Sequence, residues 1–270
     1  MESLKKNLSK NQPPLIKHSN LKVSAGRTPF FMKNFQSKLI SKFPFLFRSL
    51  ARIYYFFIRI KTGRRQTEII FNKIYRLNNW GDTESVSGSG SNLSNTENLR
   101  KLLPQAVGEL NAKIFLDIPC GDFFWMKKVD LPVEKYLGAD IVKELVDINN
   151  NLYSDEKRKF ILCDLTTGTL PEADIIFCRD CLPHLPNRLI KEALKRIKLS
   201  GAKYIFTSTY TECSKNKDVH VGGFRPLNLR LKPFYFPEPE KLISDPCITD
   251  SVKLTDKCIG LWKISSLPVK

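Results

Sequence analysis

The sequence predicts an α/β fold with a doubly wound, mostly parallel sheet and an antiparallel edge strand, preceded by a helical basic extension. Two observations predict the sheet. Short apolar segments that fit buried strands alternate with amphipathic segments of helical length from residue 95 onward. The last apolar segment, residues 258–264, follows a proline-rich stretch and is typical of an antiparallel edge strand. Such alternation builds a parallel sheet with helices on both faces, which is a Rossmann-like architecture.

The predicted elements follow one another in a regular order. Strands are predicted over residues 114–120, 135–141, 160–165, 173–178 and 203–210. Helices are predicted over residues 95–107, 124–129, 142–152 and 187–198. We expect Asn95 or Thr96 to cap the first helix, because a side-chain oxygen there can accept a free backbone N–H. A loop rich in glycine and serine, residues 81–95, precedes that helix.

The formal net charge of +17 is concentrated near the N-terminus. Residues 1–80 contain 17 lysines and arginines against 2 acids, whereas the remaining residues contain 27 against 25. Residues 1–33 show no hydrophobic period, so we predict a disordered basic arm there. We predict an amphipathic helical extension over residues 34–78. Residues 79–270 predict one folded domain, with its ligand-binding half over about 110–210.

Residues 43–60 combine many aromatic side chains with three arginines. On a helix at about 100° per residue, Arg48, Arg52 and Arg59 fall within about 40° of one another. Such a stripe is unsuited to a spanning helix but suits one that lies on an anionic membrane surface. The alternative is a helix packed on the folded domain with its arginines in water. Because no secretory signal is visible, we expect a cytoplasmic protein, either free or peripheral at a membrane.

The seven cysteines are scattered without the spacing of a disulfide framework, and Cys163 and Cys178 lie inside predicted strands. We therefore expect reduced thiols. Cys178 and Cys181 form a single CxxC pair with no second pair at zinc spacing, so no metal site is predicted.

Carboxylates stand at the ends of four successive predicted strands: Asp117, Asp140, Asp164 and Asp180. Ligands of open α/β sheets bind at the edge where parallel strands end, so we expect these side chains to lie together. Any one of them could instead be a turn former or a helix cap. Together they favour a ligand with hydroxyl or cationic groups, since carboxylates accept hydrogen bonds and pair with cations.

These segments resemble the class I S-adenosylmethionine-dependent methyltransferases. Four motifs carry the resemblance: LDIPCGD at 116–122, GADI at 138–141, LCDL at 162–165 and CRDCLPHL at 178–185. It covers about a hundred residues, 114–210, and is strongest to a bacterial group with an upstream WG…ESxSGxGS element, here running from Trp80 to Ser91. The first motif departs from the family pattern, because Pro119 and Cys120 make it stiffer than a glycine-rich turn.

The resemblance implies S-adenosylmethionine as the cofactor and a role for each motif. The turn after the first strand would hold the amino-acid end, the next two segments would contact ribose and adenine, and an Arg–Asp pair would lie near the sulfonium. The upstream loop would close over the cofactor as a lid, unless it is a plain linker. The implied cofactor-binding residues are Asp117, Pro119, Cys120, Gly121, Asp140, Ile141, Asp164, Leu165, Arg179, Asp180, Ser87, Gly88 and Ser91.

A neutral hydroxyl acceptor would have to lose its proton to a base within about 2.6–3.2 Å. His184 and Asp180 are the candidate catalytic residues, and they would share a face if their segment were helical. His220 and Arg225 are candidate substrate-binding residues, the latter for an anionic substrate, although each could be an ordinary surface residue. We predict a methyltransferase acting on a small-molecule or glycan-type acceptor, most readily at oxygen.

Two other functions stay open. An RNA methyltransferase could hold phosphates with the basic arm and stack bases on aromatic side chains. A non-catalytic adaptor could keep the fold and dock to a membrane or a protein complex through the arm. A nicotinamide-dependent oxidoreductase is disfavoured, because the glycine fingerprint of that class is missing. The sequence predicts neither the acceptor nor the oligomeric state.

Overall fold

A computed structural model of the protein describes residues 66–80, 82–249 and 253–268. The predicted arm, residues 1–33, and the candidate membrane-surface segment, residues 43–60, lie outside the described residues. The described end of the predicted helical extension is helical over residues 66–76, here called α1.

Seven strands form one sheet in the order β3-β2-β1-β4-β5-β9-β6. The strands are β1 (Ile114–Asp117), β2 (Lys135–Asp140), β3 (Arg158–Leu162), β4 (Ile175–Cys178), β5 (Tyr204–Tyr210), β6 (Lys241–Ser244) and β9 (Lys257–Lys263). The first five pair in parallel, and β9 is antiparallel to both β5 and β6. A separate two-stranded sheet joins β7 (Cys247–Ile248) and β8 (Lys253–Leu254). The predicted fold class is confirmed.

The described residues contain three further α-helices: α2 (Glu97–Gly108), which precedes β1, and α3 (Lys143–Tyr153) and α4 (Asn187–Leu199), which connect strands. The helix expected over residues 124–129 is only a short 3₁₀ turn, Met126–Lys128. Phe123, just before this segment, has a φ of 57°, so the turn after β1 does not run directly into a right-handed helix. Thr96 is the N-cap residue of α2, but its hydroxyl donates to the carbonyl of Asn92 instead of capping the helix.

The central strands are apolar because helices cover both of their faces. In β1, Phe115 packs with α2 on one face of the sheet, whereas Leu116 packs with α4 on the other. All residues of β4 are buried, as expected for a strand inside a parallel sheet. The carboxyl ends of these two covered strands lie next to each other. Asp117 is opposite Phe177, and Arg179 directly follows β4.

The strand β9 carries the antiparallel pairing that the sequence predicts for residues 258–264. The short β6 lies outside it, and sequence inspection missed β6 because only Ile243 of its four residues is buried. The chain therefore returns between β5 and β6, which places Lys257 opposite Tyr210 at the end of β5.

Candidate active site

A cleft opens at the carboxyl ends of β1 and β4, the neighbouring strands whose onward connections leave in opposite directions. This switch point is where open α/β sheets bind their ligands. The cleft has a volume of about 1070 Å³, counted out to its open mouth. The predicted site residues that line it are Ser87, Ser91, Asp117, Pro119, Cys120, Gly121, Asp140, Ile141, Asp164, Leu165, Arg179, Asp180 and His184.

The turn after β1 is tight and is locked to the upstream loop. Gly121 has a φ of +55°, and a Cβ atom there would lie 2.3 Å from the hydroxyl oxygen of Ser87. Glycine is required on both grounds. Asp122 accepts hydrogen bonds from the Ser85 hydroxyl at 2.8 Å and from the Val86 backbone N–H at 2.9 Å. Asp122 thus fixes the loop over the turn.

Asp117 lies at the end of β1 and is 3% exposed. Its carboxylate accepts a hydrogen bond from the Tyr136 hydroxyl at 2.5 Å. Burial raises the pKa of Asp117 to about 7, although the Tyr136 hydrogen bond opposes the shift. The charged carboxylate is therefore costly here until a cation approaches it.

Asp140 ends β2 and is oriented by two backbone amides. One oxygen accepts the Gly121 N–H at 3.0 Å, and the other accepts the Val142 N–H at 2.9 Å. Burial raises the pKa of Asp140 to about 6, against the lowering effect of these amides. Each oxygen keeps a further lone pair that can accept from a ligand hydroxyl.

Asp164 lines the cleft but is engaged by its own turn. One oxygen accepts from both the backbone N–H and the hydroxyl of Thr166 at 2.7 Å, and the other accepts from the Thr167 hydroxyl at 2.8 Å. These hydrogen bonds use much of the carboxylate's capacity to accept further ones. They favour the interpretation that Asp164 forms a turn. The neighbouring Leu165 lines the cleft with an apolar side chain.

A buried network of four charges forms the floor beside β4. Arg179 binds both oxygens of Asp245, at 2.9 and 3.0 Å, and donates to the Gly90 carbonyl at 2.7 Å. Lys257 contacts Asp180 at 2.5 Å and Asp245 at 3.0 Å. Two cations and two anions balance, so the network adds no net charge to the cleft.

Asp245 and Lys257 are site residues that sequence inspection missed. Both side chains are at most 1% exposed, and each forms a salt bridge with an oppositely charged residue on the cleft floor. Lys257 and Arg179 also hold the pKa of Asp180 well below its usual range, even though burial opposes this. An acid held in this way is a poor general base, which leaves His184 as the better of the two catalytic candidates.

His184 sits in the 3₁₀ turn Leu182–His184, so it shares no α-helical face with Asp180. Its Nδ1 lies 2.9 Å from the Gly223 carbonyl oxygen. Because a carbonyl can only accept, Nδ1 carries the hydrogen and Nε2 carries the lone pair. Burial lowers the pKa of His184, with nearby Asp180 acting in the opposite direction, so the neutral base is favoured.

The upstream loop is held in place by several contacts. The Glu84 carboxylate accepts from the Leu93 backbone N–H at 3.0 Å. Gly88 has a φ of +92°, and a Cβ atom there would lie 3.1 Å from the Trp80 Cβ. Ser87 and Ser91 line the cleft, whereas Gly88 only shapes the loop behind Trp80. The loop is therefore an ordered wall of the cleft in this structure; its closure as a lid stays a prediction.

The two weaker substrate candidates lie outside the lining of the cleft. Arg225 is 5% exposed and donates to the carbonyls of Leu182 and Pro183 at 3.0 and 2.7 Å. Its guanidinium thus supports the turn that carries His184 and is not placed to bind an anionic substrate. His220 is exposed and its carbonyl accepts the Gly223 N–H, which fits the reading of a loop histidine.

Four acidic side chains of the cleft have no basic partner among the described residues. Among the described residues, no lysine or arginine forms a salt bridge with Asp117, Asp122, Asp140 or Asp164. Arg179 is the sole Lys or Arg among the described lining residues, and its charge is taken up by Asp245 and Asp180. The arrangement therefore favours a ligand that brings positive charge and hydroxyl groups.

Over the part of the chain that the structure describes, no cluster of His, Cys, Asp or Glu could hold a metal ion. All seven cysteines are free thiols in this structure. No helix among residues 66–80, 82–249 and 253–268 is both long enough and apolar enough to cross a membrane.

Comparison with protein-family models and with curated proteins finds no match. Among solved structures, an S-adenosylmethionine-dependent methyltransferase from Anabaena variabilis is 14% identical with a TM-score of 0.46, over 63% of this chain and 85% of that one. TehB from Haemophilus influenzae is 13% identical with a TM-score of 0.45, over 59% and 60%. Human N-acetylserotonin methyltransferase is 16% identical with a TM-score of 0.44, over 72% and 58%. This chain spans less than two thirds of the latter two.

Proposed function

We propose that the protein is an S-adenosylmethionine-dependent methyltransferase. The observation that carries the proposal is the set of buried carboxylates at the switch point that no cation of the described residues neutralises. S-adenosylmethionine carries an ammonium group, a sulfonium and two ribose hydroxyls. Burial makes the Asp117 and Asp140 carboxylates costly to ionise, and a bound cation lowers that cost. The cationic groups of S-adenosylmethionine therefore suit this cleft.

The roles follow from the position of each side chain. Asp117, beside the tight Gly121 turn, binds the ammonium end of the cofactor. Asp140 accepts the ribose hydroxyls with the lone pairs that its two backbone amides leave free. Leu165 packs against the adenine, and Ser87 and Ser91 face the cofactor from the loop wall.

His184 is the proposed general base for transfer to oxygen. Its Nδ1 is tied to the Gly223 carbonyl, and its neutral form is favoured by burial, so Nε2 can take a hydroxyl proton. The acceptor oxygen then attacks the methyl carbon in line with the breaking carbon–sulfur bond, and alignment in the cleft supplies much of the acceleration.

Calorimetric titration of S-adenosylmethionine into the purified full chain tests the proposal. Asp140→Asn is expected to weaken binding by at least tenfold, which corresponds to about 1.4 kcal/mol. Asp174→Asn is the matched control. Like Asp140, Asp174 accepts two backbone N–H groups, from Lys113 and Ile114, but it lies outside the cleft lining.

Unchanged binding by Asp174→Asn together with weak binding by Asp140→Asn supports the cofactor site. Equal loss in both variants attributes the effect to the fold and removes the support for a ribose role. If the wild-type protein does not bind the cofactor, the proposal fails and the non-catalytic adaptor becomes the better hypothesis.

A further inference from the structure

We propose that the acceptor is a neutral, planar aromatic compound methylated at a ring hydroxyl, an inference that rests on the proposed methyltransferase function. Three features of the cleft point to it: a continuous aromatic wall around His184, a lack of available cations in the lining, and the orientation of the His184 ring.

The aromatic wall extends along one side of the cleft. The Trp80 ring lies 5.1 Å from the His184 ring and 6.3 Å from the Phe71 ring, measured between centroids. Phe224 lies outside the cleft lining; its ring is 5.5 Å from the His184 ring and it is 45% exposed. Tyr75, also from the segment 66–80, lines the same cleft. Rings at these distances offer faces and edges to another aromatic ring, which is the arrangement aromatic pairs prefer.

The charges of the described lining disfavour an anionic acceptor. Arg179 is the cation that lines the described cleft, and its guanidinium is bound by Asp245, Asp180 and the Gly90 carbonyl. Arg225 is occupied by backbone carbonyls behind the His184 turn. A carboxylate or phosphate acceptor would find no free guanidinium or ammonium group among the described lining residues, so its burial there is unfavourable.

The position of the base selects a hydroxyl on the ring. Within the described residues, His184 Nε2 makes no hydrogen bond, while Nδ1 is held by Gly223. A phenolic hydroxyl, with a pKa near 10, gives up its proton to a histidine far more readily than a water-like hydroxyl with a pKa near 15.7. A weak, neutral histidine base therefore suits a phenol better than an alcohol of a sugar.

The proposed step balances. The phenolic proton passes to His184 Nε2, and the oxygen lone pair forms a bond to the methyl carbon. The carbon–sulfur bond breaks and its electron pair stays on sulfur, which turns the sulfonium into a neutral thioether. The products are an aryl methyl ether, S-adenosylhomocysteine and a protonated histidine that returns its proton to water.

The test measures binding of a simple probe, 2-naphthol, to the full chain saturated with S-adenosylhomocysteine. Its saturated counterpart, decahydro-2-naphthol, and the anionic 2-naphthoate are the comparison ligands. We expect 2-naphthol to bind at least tenfold more tightly than either. Trp80→Leu should weaken 2-naphthol binding by roughly two- to tenfold, the worth of one aromatic pair. Tyr153→Leu, a half-buried aromatic outside the cleft lining, should leave it unchanged.

A second variant separates binding from proton transfer. His184→Gln should keep 2-naphthol affinity within about threefold and lose transfer of labelled methyl to it by at least a hundredfold. Tighter binding of 2-naphthoate, or no binding of 2-naphthol by protein that binds S-adenosylhomocysteine, overturns the acceptor class and leaves the proposed function standing. Failure to bind S-adenosylhomocysteine overturns both.

Discussion

Replacing Asp117 by asparagine should stabilise the unliganded protein at alkaline pH. Burial raises the pKa of Asp117 from 3.8 to about 7, so the folded state holds this proton more tightly than the unfolded state. Stability from this group is complete below the unfolded pKa and falls as pH rises through the folded pKa. At ~1.36 kcal/mol per unit, the loss totals about 4 kcal/mol, of which about 2.5 kcal/mol falls between pH 5 and pH 8.

Urea unfolding at pH 5 and pH 8 measures this effect. The stability of Asp117→Asn minus that of the wild type should grow by about 2.5 kcal/mol from the lower to the higher pH. Asp147→Asn is the control, because Asp147 is an exposed acid paired with Lys143 on α3, and it should shift stability by less than ~0.5 kcal/mol. An equal stability difference at both pH values would refute the claim that burial opposes ionisation of Asp117.

Three further predictions address other parts of the site. His184→Gln should lower kcat by ~10²- to 10⁴-fold without changing cofactor affinity. Because burial lowers the pKa of His184, the acidic limb of the wild-type kcat/KM profile should lie below pH ~6.5. Gly121→Ala should weaken cofactor binding in calorimetry far more than Gly201→Ala, since both have positive φ but only the first meets a neighbour, at 2.3 Å. Asp245→Asn should lower the urea-unfolding free energy by about 3–5 kcal/mol, because it removes the fully buried acid that pairs with both Arg179 and Lys257; a loss below 1 kcal/mol would contradict that interpretation.

The sequence predicts well which carboxylates line the cleft, because local chemistry determines their position. Asp117 and Asp140 follow apolar runs, and parallel strands bring their ends to one edge whatever the loops do. Gly121 is recognisable for the same reason, since only a tight turn can reverse the chain so soon after β1.

The remaining parts of the site depend on contacts between distant segments. Asp245 is 66 residues from Arg179, and Lys257 is 77 residues from Asp180. Their partnership exists only because β9 lies beside β5, and no short-range spacing encodes that placement. Arg225 has the sequence signature of a surface charge, but its burial against backbone carbonyls behind His184 is a tertiary outcome.

The position of β9 also determines when the fold can be completed during synthesis. The strand follows β6 in the chain but lies between β6 and β5, so β6 has no sheet partner until Lys257–Lys263 has left the ribosome. The same late strand delivers Lys257 to Asp180 and Asp245. A nascent chain that already contains every proposed cofactor-binding residue therefore still lacks a closed floor, and its unpaired β5 edge is the kind of surface on which chains aggregate.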